Sequence, residues 1–454
     1  MTVIDRAHLA RLIEAERELY VSTHPKSAAA YAAADNLFGR VPMTWMNKWS
    51  GGFPLYLDRA HGNRITDIDG NEIIDFALGD TGAMTGHSPA ETVAAINHRL
   101  GELGGITTML PTEDAQWVGA EMKRRFGLPL WSFTLSATDA NRWAVRLARL
   151  ATGRPKILVF AYAYHGSVDE TFAVPGPDGV AVSRPGNVAP PVPLDLTTRV
   201  VEFNDIEAVR RELAHGDVAA VLTEPAMTNI GIVMPERGFM EALREACDET
   251  GTLLMIDETH TFSVGPGGAT AAWNLRPDIF IIGKCIGGGI PSGAYGITEE
   301  LARAIGVHQD ADIVDVGGVG GTLAGNALSV AAMRATLGEV LTDDTWPAMI
   351  DLATRFREGV EAAITKYDLP WSCIQLGARA EYRFASPAPH NGTLSCEAAD
   401  ADLEEYLHLY TVNRGVMITP FHNMALMCRD TTVADVDRHT ELFDAACAAL
   451  VQTS

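Results

Sequence analysis

The sequence predicts an α/β protein whose main sheet is mostly parallel and covered by helices on both faces. Short apolar strands, at KILVFA (156–161), VAAVLTEP (218–225) and GTLLMIDE (251–258), alternate with helical segments at DANRWAVRLARLAT (139–152) and FMEALREACDET (239–250). Strands separated by helices pair in parallel, because the helix returns the chain to the start of the next strand. Their nearly continuous apolar character indicates burial on both faces.

The length of 454 residues is too great for one ordinary core, so at least two domains are expected. Residues 1–75 combine an amphipathic helix with alternating strands, and we expect them to contribute to a smaller domain. The strand–helix alternation occupies residues 76–330, the predicted large domain. Residues 331–454 hold helices and β-rich pieces, which predicts a smaller C-terminal α+β domain. The stretch 174–198, rich in proline, glycine and valine, is predicted to be a long loop.

Charge and composition exclude several kinds of partner. The chain carries 35 basic and 58 acidic residues, for a formal net charge of −23. That excess disfavours nucleic acid and anionic membrane surfaces, both of which attract basic patches. No run of 18 apolar residues and no secretory signal are visible, and the six cysteines form no CxxC pair, so we expect a cytoplasmic protein with reduced thiols. The expected partners are small molecules, and no metal site is predicted.

Lys284 is the first candidate catalytic residue. It follows the apolar strand IFIIG (279–283) and precedes CIGGGIPSGAYG (285–296). A lysine usually reaches solvent, because burial of an ammonium group is costly. The three consecutive glycines that follow, however, let the backbone pass close to a bulky ligand. A desolvated lysine has a lowered pKa and becomes a nucleophilic amine, as Schiff-base chemistry requires.

Asp257 is the second candidate catalytic residue. It ends the apolar strand LLMID (253–257), and ligand crevices form at such strand ends in open parallel sheets. A carboxylate there can simply cap a helix. It can also pair with a cationic ring nitrogen, and pyridoxal phosphate (PLP) needs such a partner to keep its pyridine nitrogen protonated and its ring an electron sink.

Two loops of small residues are candidate phosphate sites. Ser136, Ala137 and Thr138 lie between a short strand and a helix, whose first N–H groups and dipole favour an anion. Simple N-capping by a hydroxyl has the same sequence pattern, so both interpretations stay open. The loop GGTLAGNA (320–327) contains Gly321 and Thr322, which can likewise cap the next helix or bind a phosphate.

Further candidates follow two other strands. Tyr164, His165 and Gly166 come after ILVFA, where an aromatic ring can stack on a cofactor or pack within a loop, and the glycine permits close approach. Glu224 ends the strand VAAVLT. Because most of these residues lie at predicted strand or helix ends, we expect them to share one crevice.

In this order, the motifs SATDAN, YHG, TEP, IDE, GKCIGGG and GTLAGN resemble the class III aminotransferases, and most closely their glutamate-1-semialdehyde aminomutase branch. EPAMTNIG (224–231) and GKCIGGGIPSGAYG (283–296) are very close to motifs of that branch, and the resemblance spans roughly residues 45–440. It implies the type I PLP-dependent transferase fold, in which a large domain with a mostly parallel seven-stranded sheet accompanies a smaller α+β domain. It also implies PLP as the cofactor and a homodimer with active sites at the subunit interface.

The same resemblance implies roles for individual residues. Lys284 would hold PLP as a Schiff base and then carry the proton shift, while Asp257 would pair with the pyridine nitrogen. Thr322 would reach the phosphate of the partner subunit's cofactor, and Thr259 stands where the family usually has a valine beneath the ring. The implied cofactor-binding residues are Ser136, Ala137, Thr138, Tyr164, His165, Gly166, Glu224, Asn229, Asp257, Thr259, Lys284, Gly321 and Thr322.

One departure from the family pattern concerns the substrate. Trp45 stands where the aminomutase branch has an arginine that binds the substrate carboxylate, and tryptophan cannot form that bidentate contact. The change argues against glutamate-1-semialdehyde as the substrate and suggests a bulkier or more apolar pocket. Trp45 and His422 are candidate substrate contacts, although Trp45 can equally be a core or dimer-interface aromatic. Arg379 and Arg383 could pair with a carboxylate but are expected on the surface.

The function predicted from the sequence is transamination between an amine or amino acid and a keto or oxo compound. The alternative is a PLP-dependent aminomutase or racemase of the same family, which would need no second substrate. A PLP-binding protein without turnover is disfavoured because Lys284 and Asp257 are both present. A dinucleotide-binding protein is disfavoured because no GxGxxG turn follows an early strand.

Overall fold

The fold is described from a computed structural model that covers residues 2–311 and 317–452. The chain divides into two compact units. The small unit comprises Met1–Pro89, Pro347–Ala388 and Ala398–Ser454, and the large unit comprises Ala90–Trp346 and Pro389–Glu397. The domain limits expected from the sequence, after residues 75 and 330, stay a prediction.

Helices make up much of both units. In the described residues they are α1 (Arg6–Thr23), α2 (Pro25–Ala33), α3 (Ala90–Asn97), α4 (Glu113–Phe126), α5 (Ala137–Thr152), α6 (Ile206–Leu213), α7 (Phe239–Thr250), α8 (Gly268–Ala272), α9 (Glu299–Gly306), α10 (Ala327–Ala335), α11 (Trp346–Lys366), α12 (Gly392–Glu397), α13 (Ala401–Val412) and α14 (Val433–Val451). None of these helices combines the length and apolar character that crossing a membrane requires.

The strands of the described residues form four sheets. They are β1 (Leu57–His61), β2 (Arg64–Asp67), β3 (Glu72–Asp75), β4 (Leu130–Thr134), β5 (Lys156–Phe160), β6 (Ala173–Pro175), β7 (Ala181–Ser183), β8 (Thr198–Val201), β9 (Val218–Thr223), β10 (Leu253–Asp257), β11 (Ile279–Ile282), β12 (Gly293–Ile297), β13 (Ser372–Leu376), β14 (Arg379–Arg383), β15 (Val416–Met417) and β16 (Met424–Leu426). The hairpin of β6 and β7 lies where the sequence predicted a long loop, so that prediction was wrong for this part.

The large unit is built on a seven-stranded sheet in the order β4-β12-β11-β10-β9-β5-β8. Strands β8, β5, β9, β10 and β11 pair in parallel, whereas β12 is antiparallel to both β11 and β4. Six of the seven strands therefore run in one direction, and their carboxyl ends meet at one edge. The predicted fold class is confirmed.

Alternate residues of the central strands pack on opposite faces of this sheet. Ile157 and Val159 of β5 lie in a core with residues of α5, while Leu158 and Phe160 lie in a second core with residues of α6 and α7. All six residues of β9 are buried. This two-sided burial explains why the strands read as continuous apolar runs in the sequence.

The last part of the large unit is a short return of the chain. Asn204 donates its Nδ2 to the backbone oxygen of His390 at 2.7 Å, and Thr393 donates through its hydroxyl to Glu202. Ser395 donates its Oγ to the backbone oxygen of Ile230 at 2.5 Å. Residues 389–397 are thus bound to loops that follow strands of the main sheet, although residues on both sides of them belong to the small unit.

The small unit holds two further sheets. One has the order β1-β2-β3-β15, with β15 parallel to β3, and the other is the antiparallel set β13-β14-β16. Its first sheet joins strands from the two ends of the chain. Arg379 and Arg383, which the sequence analysis expected on the surface, are only 2% and 6% exposed. That expectation was wrong, because other segments of the small unit cover their face of the sheet: Arg379 donates to the hydroxyl of Thr81 at 3.1 Å, and Arg383 lies 3.8 Å from Glu404.

His439 lies in an aromatic cluster of the small unit. Its ring centroid lies 4.2 Å from that of Phe356, 5.9 Å from Phe443 and 6.0 Å from Phe76. The side chain is fully buried, and neither ring nitrogen has a hydrogen-bond partner in the described part of the chain. Burial lowers the pKa of His439 to about 3.

The His439→Phe variant is expected to unfold less readily in acid. Between about pH 6.5 and pH 3 the unfolded chain binds a proton at His439 that the folded chain does not, so this residue makes stability fall as the pH falls. Phenylalanine removes the effect and should raise the free energy of unfolding at pH 5 by about 2 kcal/mol. Urea unfolding at pH 5 and pH 7.5 measures the change, with His215→Phe on an exposed turn as the control. A loss of stability at both pH values would contradict the argument.

Candidate active site

Five predicted site segments lie at one edge of the large unit's sheet. Ser136 follows β4, His165 follows β5, Glu224 follows β9, Asp257 ends β10 and Lys284 follows β11. These five strands run in the same direction, so their carboxyl ends point to the same side. The crevice expected from the sequence is the usual ligand position in such a sheet.

Asp257 is a buried carboxylate held by three donors. Asn141 donates its Nδ2 to Oδ2 at 2.9 Å, the Nδ1 of His165 lies 3.0 Å from the same oxygen, and the backbone N–H of Thr259 donates to Oδ1 at 3.1 Å. Burial alone would raise the pKa of Asp257, but the hydrogen bonds from His165 and Asn141 hold this pKa below its usual value. A negative charge at the end of β10 is the result.

Asn141 is a site residue that the sequence analysis missed. It is fully buried in the first turns of α5, and its Nδ2 also donates to the backbone oxygen of His165 at 3.2 Å. A polar residue on the apolar face of this helix was the available signal. The Oδ1 of Asn141 and the Nε2 of His165 are buried without a hydrogen-bond partner in the described residues, as in a site built for a polar ligand.

Lys284 begins a tight helical turn with a left-handed backbone, at φ +54°. This conformation is costly for a residue with a side chain and is found mostly where function requires it. Its Nζ lies 2.8 Å from the Nε2 of His260. The sequence analysis did not single out His260, although it stands three residues after Asp257 in IDETH. The amine is therefore held within hydrogen-bond distance of an imidazole nitrogen.

The N-terminus of α5 forms a cradle with the loop after β5. Ser136 caps the helix by accepting from the N–H of Asp139 at 3.3 Å, and Thr138 accepts through Oγ1 from the N–H of Ser167 at 3.1 Å. Gly166 has φ +76°, and a Cβ built on it would lie 2.1 Å from the Oγ1 of Thr138. The free N–H groups in the first turn of this 16-residue helix and the hydroxyl of Thr138 thus lie together, and a phosphate can accept hydrogen bonds from such a set of donors.

The Gly166→Ala variant is expected to bind PLP at least about tenfold more weakly, because a left-handed alanine costs on the order of 1–3 kcal/mol and its methyl group displaces Thr138. The dissociation constant is measured by titrating apoprotein with PLP. Gly179→Ala is the matched control, since its backbone has φ +74° but its added Cβ would meet no atom within 4 Å. Equal affinities for the two variants would show that the cradle does not depend on this close approach.

The remaining predicted contacts in the large unit have defined surroundings. The ring of Tyr164 lies edge-on to that of Phe172, with centroids 6.0 Å apart. Glu224 accepts from the backbone N–H and the hydroxyl of Thr228, and burial raises the pKa of this carboxyl to about 7. Asn229 donates its Nδ2 to the backbone oxygen of Tyr162 at 3.0 Å. These residues all lie on loops that follow β5 or β9.

Four predicted residues are not brought to this edge by the contacts described. Gly321 and Thr322 are exposed, and the role predicted for Thr322 involves a second chain. Trp45 and His422 belong to the small unit, where the ring of Trp45 meets Phe421 at 5.6 Å and the Nδ1 of His422 lies 3.5 Å from Glu381. Their roles as phosphate and substrate contacts stay predictions.

The residues of the large unit fit PLP. The buried anion of Asp257 suits a protonated pyridine nitrogen, and Ala137 and Thr138 suit the phosphate. Lys284 supplies an amine, and Tyr164 supplies an aromatic face. The buried, unpartnered nitrogen of His165 lies in the same cluster, which indicates that the protein alone does not satisfy its polar groups.

Comparison with known proteins agrees with this geometry. The family model "Aminotransferase class-III" matches residues 45–450. Glutamate-1-semialdehyde 2,1-aminomutase from Chloroflexus aggregans is 32% identical over 415 residues, which cover 88% of this chain and 92% of the relative.

Solved structures extend the comparison. A glutamate-1-semialdehyde-aminomutase from Pseudomonas aeruginosa is 47% identical, with a TM-score of 0.95 over 98% of this chain and 99% of that one. A lysine-to-alanine variant of the Pseudomonas protein was solved in complex with PMP. An omega-transaminase from Sphaerobacter thermophilus is 26% identical, with a TM-score of 0.83 over 93% and 97% of the two chains.

The family match covers most of the chain, and the predicted resemblance is confirmed. The type I PLP-dependent fold and PLP as the cofactor, both expected from the sequence, are confirmed with it. The chain is a member of the class III aminotransferase family.

Proposed function

We propose that this chain is a PLP-dependent aminomutase, an enzyme that exchanges an amino and an oxo group within one molecule. The sequence analysis favoured transamination between two molecules and held aminomutation as the alternative. The observation that carries the change is the 47% identity, over 98% of the chain, to a protein described as glutamate-1-semialdehyde-aminomutase, against 26% to an omega-transaminase.

The cofactor and the protein divide the chemistry between them. When bound, PLP supplies a carbonyl carbon that exchanges amines and a ring that withdraws electrons. Asp257 keeps the ring nitrogen protonated, and Asn141 and His165 keep Asp257 charged and fixed in orientation. Ala137 and Thr138 hold the phosphate, so the ring has a defined position relative to the end of β11.

Lys284 moves the proton that amino exchange requires. Its Nζ would take a proton from the substrate carbon that carries the amino group. It would return that proton to the carbon that receives the amino group next. The Nε2 of His260 lies 2.8 Å from this Nζ, within hydrogen-bond distance, and so can orient the amine. The buried Glu224, whose pKa is raised to about 7 by burial, adds a carboxyl that is partly protonated near neutral pH.

Transamination between two molecules is the second candidate, and one observation favours it. By the family resemblance, Trp45 stands where the aminomutase branch has an arginine for the substrate carboxylate. Its ring packs edge-on against Phe421, with centroids 5.6 Å apart, and so adds to an apolar surface of the small unit. The change at Trp45 therefore counts against glutamate-1-semialdehyde aminomutation, and so in favour of the second candidate.

A single-substrate assay separates the two reactions. Purified holoenzyme is incubated with an amino-oxo compound such as glutamate-1-semialdehyde, and the positional isomer is measured by chromatography with and without an added keto acid. An aminomutase forms the isomer alone and needs no keto acid. A visible band that an amine bleaches, and that only a keto acid restores, would replace the proposal with transamination. Failure to bind PLP would overturn both.

We also propose that the active form is a homodimer. Leu100, Leu103, Met109 and Leu110 lie close together in the sequence between α3 and α4 and are 49–78% exposed, and clustered exposed apolar residues are typical of protein interfaces. A second copy of the chain would bury them and would bring Thr322 to the partner's cofactor. Sedimentation of the holoenzyme tests this, and a monomer with full activity would refute it.

A further inference from the structure

Thr259 lies beside the buried carboxylate at the end of β10. It stands two residues after Asp257, it is 6% exposed, and its backbone N–H donates to the Oδ1 of Asp257 at 3.1 Å. Its Oγ1 is also buried, and in residues 2–311 and 317–452 this hydroxyl has no hydrogen-bond partner. A buried hydroxyl without a partner is costly, so a specific role must account for it.

The two oxygens of Asp257 are used unequally by the protein. An ionised carboxylate offers about four lone-pair positions, shared between its two oxygens. Oδ2 faces two donors, the Nδ2 of Asn141 at 2.9 Å and the Nδ1 of His165 at 3.0 Å. In the described part of the chain, Oδ1 receives one donor, the N–H of Thr259. The acceptor position that remains for a ligand is therefore on Oδ1, the oxygen that Thr259 holds.

The side chain of Thr259 also acts on the charge of Asp257. Burial raises the pKa of this carboxyl, and His165 opposes that effect most strongly. The side chains of Thr259 and Asn141 lower the pKa further, because donors favour the ionised form of a carboxylate. A threonine hydroxyl moves between staggered positions by rotation about one bond, while the backbone N–H stays in place. The hydroxyl can therefore follow a change at Oδ1 without disturbing the end of the strand.

We propose that Thr259 is a positioning residue whose hydroxyl keeps the Oδ1 of Asp257 charged and available as the acceptor for the ring nitrogen of PLP. The inference rests on the proposed PLP chemistry of this site. Thr259 acts through Asp257, which is the group that would touch the cofactor. By the family resemblance a valine usually stands here, and valine keeps the N–H but has no hydroxyl. This chain therefore has one donor more beside the carboxylate.

The hydroxyl matters because Asp257 and a ring nitrogen share a proton. The proton stays on nitrogen as long as the carboxylate is the weaker base, and each donor to Asp257 makes it a weaker base. Loss of the hydroxyl would move the proton towards Oδ1 and weaken the electron-withdrawing ring. The effect should depend on the ring nitrogen and should be absent for a ring without one.

The first test measures cofactor affinity without turnover. Apoproteins of the wild type, Thr259→Val and Thr259→Ser are studied by equilibrium dialysis with PLP and with 1-deaza-PLP, in which a carbon replaces the ring nitrogen. Thr259→Val should bind PLP about 3- to 10-fold more weakly than the wild type, as the loss of one hydrogen bond implies. Both proteins should bind 1-deaza-PLP equally. Thr259→Ser, which restores a hydroxyl, should match the wild type with both compounds.

Thr270→Val is the matched control. Thr270 is 3% exposed, its N–H donates to the buried carboxylate of Glu258, and its Oγ1 likewise has no partner in the described residues. This variant should leave both affinities unchanged. Equal weakening of PLP and 1-deaza-PLP in Thr259→Val, or a PLP affinity equal to that of the wild type, would overturn the proposal and leave Thr259 as a packing residue.

Turnover of the same variants separates this inference from the proposed function. In Thr259→Val, kcat should fall about 3- to 10-fold with KM nearly unchanged, because the substrate does not touch the hydroxyl. A wild type that binds PLP but exchanges no amino group would refute the proposed reaction, and the two affinities would still decide the role of Thr259. A wild type that binds no PLP would overturn both.

Discussion

Replacing Lys284 with alanine is expected to lower the rate of amino transfer by at least about 10³-fold, because the variant loses both the nucleophilic amine and the proton carrier. The phosphate cradle at α5 is untouched by the change, so the variant should still bind the cofactor. Alanine keeps the Cβ at this left-handed position, so the backbone strain is unchanged and the stability of the fold should stay close to that of the wild type.

The measurement is single-turnover absorbance of the loaded enzyme, together with the single-substrate assay. Small amines such as methylamine should restore part of the rate in Lys284→Ala, since they can carry the missing proton. A role in structure alone would not be rescued in this way. Lys123→Ala, an exposed lysine on α4, serves as the matched control. A Lys284→Ala enzyme that retains the wild-type rate would remove this residue from the mechanism.

Replacing Asp257 with asparagine is expected to reduce turnover by about 10²- to 10⁴-fold. The amide has nearly the same shape and can keep a contact with Asn141 or His165, but it carries no charge. Without the carboxylate the pyridine nitrogen loses its proton, and the ring withdraws electrons poorly. The loss should therefore appear in the chemical step rather than in substrate affinity.

Two readouts separate this effect from misfolding. The visible band of the Asp257→Asn holoenzyme should shift, because the ring nitrogen is neutral, while circular dichroism and the melting temperature stay close to those of the wild type. Asp248→Asn on α7, an exposed carboxylate 56% accessible, is the control. Unchanged turnover in Asp257→Asn would mean that the carboxylate serves only to hold His165 and Asn141.

The sheet could be predicted from the sequence because each of its strands is marked by the apolar pattern of its own residues. β9 and β10 are apolar on both faces and lie between amphipathic helices, so their runs are visible without any knowledge of tertiary contacts. Asp257 and Lys284 then stood out as charged residues directly at the ends of such runs. The rule that ligands bind at the carboxyl ends of parallel strands supplied the rest.

Other features depend on contacts that no local pattern records. Asn141 and His260 become part of the site only because α5 and the loop after β10 converge, and neither has a distinctive spacing. β14, with the sequence RAEYR, has the pattern of an exposed strand, yet all five residues are buried because both faces are covered: Tyr382 packs on Phe443 of α14, and Arg383 lies 3.8 Å from Glu404 of α13.

The short return of residues 389–397 also sets the order in which the protein can be completed during synthesis. Gly392 packs so closely on the main sheet that a Cβ added to it would lie 2.1 Å from the backbone oxygen of Ala161. The carboxylate of Glu202 accepts a hydrogen bond from the hydroxyl of Thr393. These groups of the main sheet emerge from the ribosome long before their partners do. The small unit likewise needs β15 to finish the sheet begun by β1 to β3. Both units therefore close only after most of the chain has been made, which favours slow, post-translational folding dominated by long-range contacts.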